Sequence, residues 1–408
     1  MVPRALGTAS YAFVVPMLAL SLAVFAVGVD SYIVAAVLPA IADDLGESIA
    51  AVGLLASAYA LPTAILAPLL GPLSDRRGRR FAMLVGLTIF AAAAVGCVVA
   101  PTLPLLLLAR VINGVGGSIV LPAAFAAAGD LAEPSLRARA MGRLAGMFPL
   151  STLLGLPLGA LAAIVAGWRG SFAFIAIVAV IAALLVSRLP EARPLAAADR
   201  PSYGRTIRLA IGDARARTAL VVTFLWLTAT FGLFVYVAEF VHRTFGVPAE
   251  QAGLIYVVVG VVGVVATRRS DLVVARLGAR RTVLLAISMF VAAAFFLPLS
   301  AIALPVTVVT LGFWAYGTWT GIPAMQTIVS GLSGSARGTL LAFLSSAINL
   351  GAVVGPIVTG RVLEAGGFTW AGPWAACLGL LALTVAWRVL PEASMEASDD
   401  RSLAASEA

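Results

Sequence analysis

The sequence predicts an all-α integral membrane protein, with twelve transmembrane helices in two pseudosymmetric six-helix bundles, and three observations carry that prediction. Of 408 residues, 61% are hydrophobic and 11% charged, where a soluble domain carries about a quarter charged. Twelve apolar runs are long enough to cross about 30 Å of hydrocarbon. The chain also resembles itself at an offset of 200 residues.

In order, the runs are roughly 11–39, 49–70, 81–101, 103–128, 140–166 and 170–189, then 218–241, 251–267, 282–300, 304–329, 338–362 and 370–390. The first follows Arg4 and starts like a secretory signal, but its length and its place in the repeat argue that it is retained. The repeat sets LGESIAAVGL (45–54) on FGVPAEQAGL (245–254). It also sets Arg76, Gly78 and Arg80 on Arg276, Gly278 and Arg280, and Arg137 on Arg337. Such a register implies two parallel copies of one helical unit. The domains expected are a bundle over 1–189, a linker over 190–217, a second bundle over 218–391 and a disordered polar tail over 392–408. Within the Pro- and Arg-rich linker, Tyr203 to Ile211 reads either as a helix on the membrane surface or as a solvated tether.

All 27 basic residues are arginine. The absence of lysine excludes a Walker A phosphate loop, a Schiff-base lysine and a Ser-x-x-Lys nucleophile. With a cytoplasmic N-terminus, Arg169, Arg243 and Arg361 fall outside, Arg110 falls within the membrane and every other arginine falls at a cytoplasmic end. That bias places both termini in the cytoplasm. The net charge of +8 is therefore topological, and no nucleic-acid partner is expected. Cys97 and Cys377 both lie in apolar runs, so neither a disulfide nor a metal site is expected.

The most informative segment is Gly71-Pro-Leu-Ser-Asp75-Arg76-Arg77-Gly78-Arg79-Arg80, a compact charged loop between two apolar runs. Its glycines let helices approach, Asp75 can cap or pair, and the arginines can bind carbonyl ends and acids of neighbouring helices. Asp130, at the cytoplasmic end of the fourth run, is a candidate partner. The first run holds Asp30-Ser-Tyr32-Ile-Val-Ala-Ala-Val-Leu-Pro39 and the fourth holds Arg110-Val-Ile-Asn113-Gly114-Val-Gly116. Asp30 lies nine residues before Pro39, and Arg110 nine after Pro101. At about 1.5 Å per residue both sit about 13 Å below the outer surface, and they can pair. An intramembrane acid is costly and usually faces a cavity or a partner.

These segments resemble the major facilitator superfamily, and within it the twelve-helix drug:proton antiporters. The loop resembles the signature G-x-L-x-D-R-x-G-R-[RK], the first run D-x-[TY]-x-V-x-x-x-L-P, and the fourth R-x-x-Q-G-x-G with Asn113 at the Gln position. Gly155-Leu-Pro157-Leu-Gly159-Ala160 resembles the fifth-helix signature G-P-x-x-G-G, with the proline displaced by one and alanine for the last glycine. Followed by Gly167-Trp168-Arg169, it is similar to the sugar and chloramphenicol efflux branch.

The resemblance implies a cytoplasmic gate built on Gly71, Asp75, Arg76, Gly78, Arg79, Arg80 and Asp130, latching that side shut. It implies proton coupling at Asp30, tuned by Arg110, which itself stays protonated. The alternative reading of Asp30 is a structural acid held by Arg110 or a helix backbone. Gly155, Pro157 and Gly159 also read simply as small residues for close packing.

Tyr32, Asn113, Trp226, Tyr236, Glu239, Trp314, Trp319, Gln326 and Asn349 are candidates for a substrate cavity. The aromatics read alternatively as packing anchors, and the amides Gln326 and Asn349 as helix glue. Glu239 and the single histidine, His242, lie near the outer boundary and are expected at the solvated interface.

The function expected is secondary efflux of a small, lipophilic, neutral or weakly cationic compound, driven by proton antiport in a bacterial cytoplasmic membrane. Substrate, protons and the bilayer are the partners, no cofactor beyond the proton gradient is required, and the monomer suffices. A metabolite uniporter or an importing proton symporter is the alternative. Two remoter alternatives are a membrane-embedded enzyme, which would need an H-E-x-x-H or G-x-S-x-G context that is absent, and a non-transporting sensor of the same fold, which would show binding without flux.

Overall fold

A computed structural model describes residues 5–131, 136–190, 212–332 and 337–390, without the side chains of 5–15, 67–76, 138 and 337–339. Most of the expected linker, the Tyr203 to Ile211 piece, the tail, and the side chains of Gly71, Asp75 and Arg76 therefore lie outside the described residues.

Apolar composition and the demand that every backbone group be satisfied inside a bilayer leave helices as the building unit. The first four crossings are α1 (Ala5–Leu45), α2 (Ile49–Arg77), α3 (Arg79–Val99) and α4 (Leu103–Leu131). The fifth is assembled from α5 (Arg137–Ala145), α6 (Met147–Leu150), a π-turn (Ser151–Gly155) and the first part of α7 (Leu156–Val186). The sixth is the remainder of α7, after a break at Ala166 and Gly167. The second bundle contains α8 (Ala214–Phe245), α9 (Ala249–Ala252) with a 3-10 turn leading into α10 (Tyr256–Leu277), α11 (Ala279–Phe296), α12 (Leu304–Gly331), α13 (Arg337–Gly366) and α14 (Phe368–Val389).

Among the described residues ten helices are long and apolar enough to span a membrane. One of them, Arg139–Val186, is two crossings joined at the break, and α12, 28 residues long, is a further crossing whose threonines, glycines, Trp and Tyr make it less apolar than the rest. Twelve crossings result. Their outward surface is apolar, with Val165, Ile302 and Val309 among its most exposed side chains, as a bilayer requires.

The repeat is visible in the backbone. Among the described residues every glycine with positive φ has a partner 200 positions away: Gly46 with Gly246, Gly78 with Gly278 and Gly167 with Gly367. At Gly78 (φ 95°) and Gly278 (φ 80°) a single residue separates consecutive helices, a conformation that only glycine adopts without strain. The halves meet chiefly where α2 packs on α13, where α1 packs on α8, and where the π-turn packs on α10. The α2–α13 contact and the contact of the fifth crossing with α10 are equivalent under the 200-residue repeat.

Candidate functional site

Between the halves lies a cavity of about 750 Å³. It runs from Tyr32, Tyr59, Phe231 and Phe234 in mid-helix toward Met141, Gly142 and Ser330, near the arginine-rich helix ends. Phe125, Phe148 and Trp319 extend the aromatic lining, and Thr63, Gln326, Thr327, Ser345 and Asn349 add uncharged polar groups. Among the described residues no Asp, Glu, Arg or His lines it.

At the opposite end the halves interlock. Ser57 Oγ donates to the Val353 carbonyl at 2.7 Å, and Ser48 Oγ to Glu364 Oε1 at 3.2 Å. Tyr236 is wedged between Gly53 and Gly360, donating to the Pro356 carbonyl at 2.8 Å. A methyl group on Gly253 would overlap the Ala36 carbonyl. The cavity is therefore closed on the side away from the arginine-rich ends.

Asp30 and Arg110 meet in the wall of the first half. Arg110 Nη1 lies 2.7 Å from Asp30 Oδ1 and 2.8 Å from Oδ2, and Nη2 donates to the Asp30 carbonyl at 3.1 Å. Both residues are fully buried. Two charges removed from water hold together only when paired and hydrogen-bonded, as here. Neither lines the cavity, although Ser31, Tyr32 and Tyr59 do. The Tyr59 ring lies beneath the guanidinium, and its hydroxyl accepts from Ser31 Oγ at 3.3 Å.

The fifth crossing closes on the same stretch of α1. A methyl on Gly155 would run into Val29, and one on Gly159 into Ile33. One on Gly28 would stand 2.6 Å from Ser151 Oγ. The small residues of 155–159, with Pro157 among them, thus bring the π-turned helix onto α1 on either side of Asp30. Such π-turns interrupt a helix at a local cost and recur at functional sites.

In the charged loop, Arg79 Nε pairs with Asp130 Oδ2 at 3.0 Å. Asp130 is thus the partner of the loop, as its position suggests; the pair joins α3 to α4 within one half, and in this structure the cavity extends to that side. In the second copy Ala279 stands at the position of Arg79, and Arg280, the counterpart of Arg80, donates from Nη2 to the Trp387 carbonyl at 2.6 Å.

Of the candidate cavity residues, Tyr32, Trp319, Gln326 and Asn349 line the cavity. Trp314 lines a smaller hollow beside it. Asn113 does not face the cavity: it donates to the Phe90 carbonyl at 3.0 Å, where Gly116 brings α4 against the Phe90 backbone of α3. Trp226 is fully buried against Gly321, and Tyr236 belongs to the interlock. Glu239 is neither solvated nor in the cavity: it is 3% exposed and paired with Arg243 one turn on. His242 Nδ1 sits 2.7 Å from the Val247 carbonyl. Tyr59, Phe231 and Phe234 were outside the motif reading; their signal is aromatic rings within otherwise aliphatic runs.

The Major Facilitator Superfamily model matches residues 20–332. The chain belongs to the Major Facilitator Superfamily. It is thus a transporter and not an enzyme. Its curated relatives include the MFS-type transporter YwfA of Bacillus subtilis (strain 168), 26% identical over 371 residues, covering 89% of each chain. They also include a chloramphenicol resistance protein of Streptomyces lividans, 30% identical over 232 residues, covering 57% of this chain and 59% of that one. The crystal structure of a D-xylose-proton symporter superposes with a TM-score of 0.77 at 19% identity, over 93% of this transporter and 98% of the other. At that identity the likeness concerns the fold.

Proposed function

We propose that this transporter expels a small, uncharged lipophilic compound in exchange for protons, by alternating access between its two halves, with Asp30 carrying the coupling proton. The observation behind this reading is the Asp30–Arg110 pair, buried one layer behind a cavity whose described lining is aromatic, uncharged and sparingly polar. Such a lining suits an amphipathic organic molecule. The chloramphenicol resistance relative, itself named for a small aromatic antibiotic, lends support.

Protonation of Asp30 removes one charge of the pair and frees Arg110 to seek carbonyl partners, of which Leu55 O already lies 3.4 Å from its Nε. The packing of α1 against α4 and the fifth crossing then differs between the protonated and charged forms, and that difference is what a proton can exchange for substrate. A proton crossing about 150 mV supplies about 3.5 kcal/mol. At about 1.4 kcal/mol per tenfold, it sustains a gradient of a few hundredfold.

The arginine distribution supports a cytoplasmic position for both termini, with the present cavity facing inward, and the bacterial relatives support a bacterial cytoplasmic membrane. The monomer in its bilayer suffices, with no cofactor beyond the proton gradient. Proteoliposomes with an imposed pH gradient test the reading. The wild type should accumulate chloramphenicol, as a first probe, against its gradient, and Asp30→Asn should only equilibrate it. Concentrative transport by Asp30→Asn would remove Asp30 from the role and turn attention to Glu239. Movement of substrate in the same direction as protons would replace export by import.

A further inference from the structure

Beside the main cavity lies a hollow of about 40 Å³. The two share Tyr32, Phe231, Phe234, Trp319 and Ile322, so the hollow opens off the cavity through an aromatic rim. Its wall includes Thr230 of α8 and Thr318 of α12, 4% and 9% exposed.

A threonine hydroxyl within a helix commonly bonds the carbonyl one turn back. On these same two helices Thr223, Thr228, Thr310, Thr320 and Thr327 do so, at 2.6 to 3.0 Å. The hydroxyls of Thr230 and Thr318 have no hydrogen-bond partner among the described residues. A buried hydroxyl without a partner is costly, and valine would fill the same space without the cost. Two of them on separate helices, facing one hollow, are accounted for by a polar group that enters it.

We propose that this hollow is a specificity subsite that takes a small uncharged oxygen-bearing substituent, a hydroxyl or carbonyl, from a substrate whose ring rests on the aromatic rim. Its volume exceeds the roughly 30 Å³ that a water occupies in the liquid, so it admits a group of a few atoms and excludes a second ring. Among the described residues nothing charged lines it, so an ionised substituent is excluded as well. Under the repeat Thr230 stands where the first half has Asp30. One half thus holds the proton-binding acid, and the other, at the matching position, a hydroxyl that reads the substrate. The proposal deepens the export reading and rests on it only in taking the main cavity as the substrate path.

The test is an equilibrium titration of the purified full-length transporter with 4-chlorobenzyl alcohol, followed by saturation-transfer NMR with no proton gradient. The double variant Thr230→Val/Thr318→Val keeps the shape and removes the hydroxyls, and should bind about five- to tenfold more weakly. The double variant Thr230→Ser/Thr318→Ser should bind like the wild type. The Val variant should melt no lower than the wild type, since it loses two unpartnered hydroxyls, which separates lost recognition from lost folding. Equal affinity in the Val variant, or no saturable binding to the wild type, would overturn the proposal and leave the hollow to water. Because no gradient is applied, a failure of proton coupling at Asp30 would leave this result unchanged, and the two readings can fail separately.

Discussion

The ring of Tyr59 lies 4.5 Å from the guanidinium carbon of Arg110, and it stands between the cavity and the Asp30–Arg110 pair. A cation over an aromatic face gains about 0.5–2 kcal/mol, more when water is excluded. The ring therefore both stabilises Arg110 and keeps cavity water off Asp30. Tyr59→Phe, which keeps the ring, should retain coupled transport with a loss of no more than a few-fold. Tyr59→Ala should open the pair to the cavity and produce substrate-independent proton leak. A pH-sensitive dye inside proteoliposomes reads both, and a leak-free alanine variant would mean that other groups seal the pair.

The pair itself is a coupled unit. Removing one member of a buried ion pair leaves an uncompensated charge and costs about 3–5 kcal/mol. Arg110→Met and Asp30→Asn should each lower the thermal midpoint in detergent, while the double variant should be more stable than Arg110→Met alone. Both side chains are fully buried in direct contact, so additivity is not expected. Additive losses would show that the charges are held by something other than each other.

Much of this arrangement was legible in the sequence because the bilayer leaves few options. Spans, connections and the shared depth of Asp30 and Arg110 follow from length, rise per residue and the placement of Pro39 and Pro101. The direction of side chains around a buried helix was not legible, because an apolar helix with neighbours on all sides has no amphipathic stripe to mark its faces. That is why Asn113, one turn from Arg110, was expected in the cavity but faces α3. Glu239 departs from expectation for a related reason: nearness to a helix end suggests solvent, but α8 packs against α1, α9, α13 and α14, and Glu239 is buried with Arg243 as its partner. Tyr59 carries no motif, and only the fold shows what it covers.

The interlocked end should set the conformational equilibrium. Gly253 packs against the Ala36 carbonyl, where a methyl already overlaps, so Gly253→Val is incompatible with this contact. The variant should shift the transporter toward the state open on that side. With Cys377, the exposed cysteine, changed to serine, a Ser57→Cys reporter, at a buried position of the interlock, should react several-fold faster with a hydrophilic maleimide added outside when Gly253→Val is present. An unchanged labelling rate would mean that the closed contact yields elsewhere.

The Arg79–Asp130 pair joins α3 to α4 inside one half, with Asp130 about half exposed (47%). An exposed pair contributes about 0–1 kcal/mol, so Asp130→Asn should leave the melting midpoint nearly unchanged. It also lies outside the cavity, so substrate affinity should stay within about twofold of the wild type. What it can affect is the position of the Gly78 turn, and with it the approach of the two halves on the arginine side during the opposite half of the cycle. Asp130→Asn should therefore lower turnover in counterflow while preserving equilibrium binding. A fall in affinity as large as the fall in turnover would instead make the pair part of the substrate site at a distance, and would mean that the first half does not move as one body.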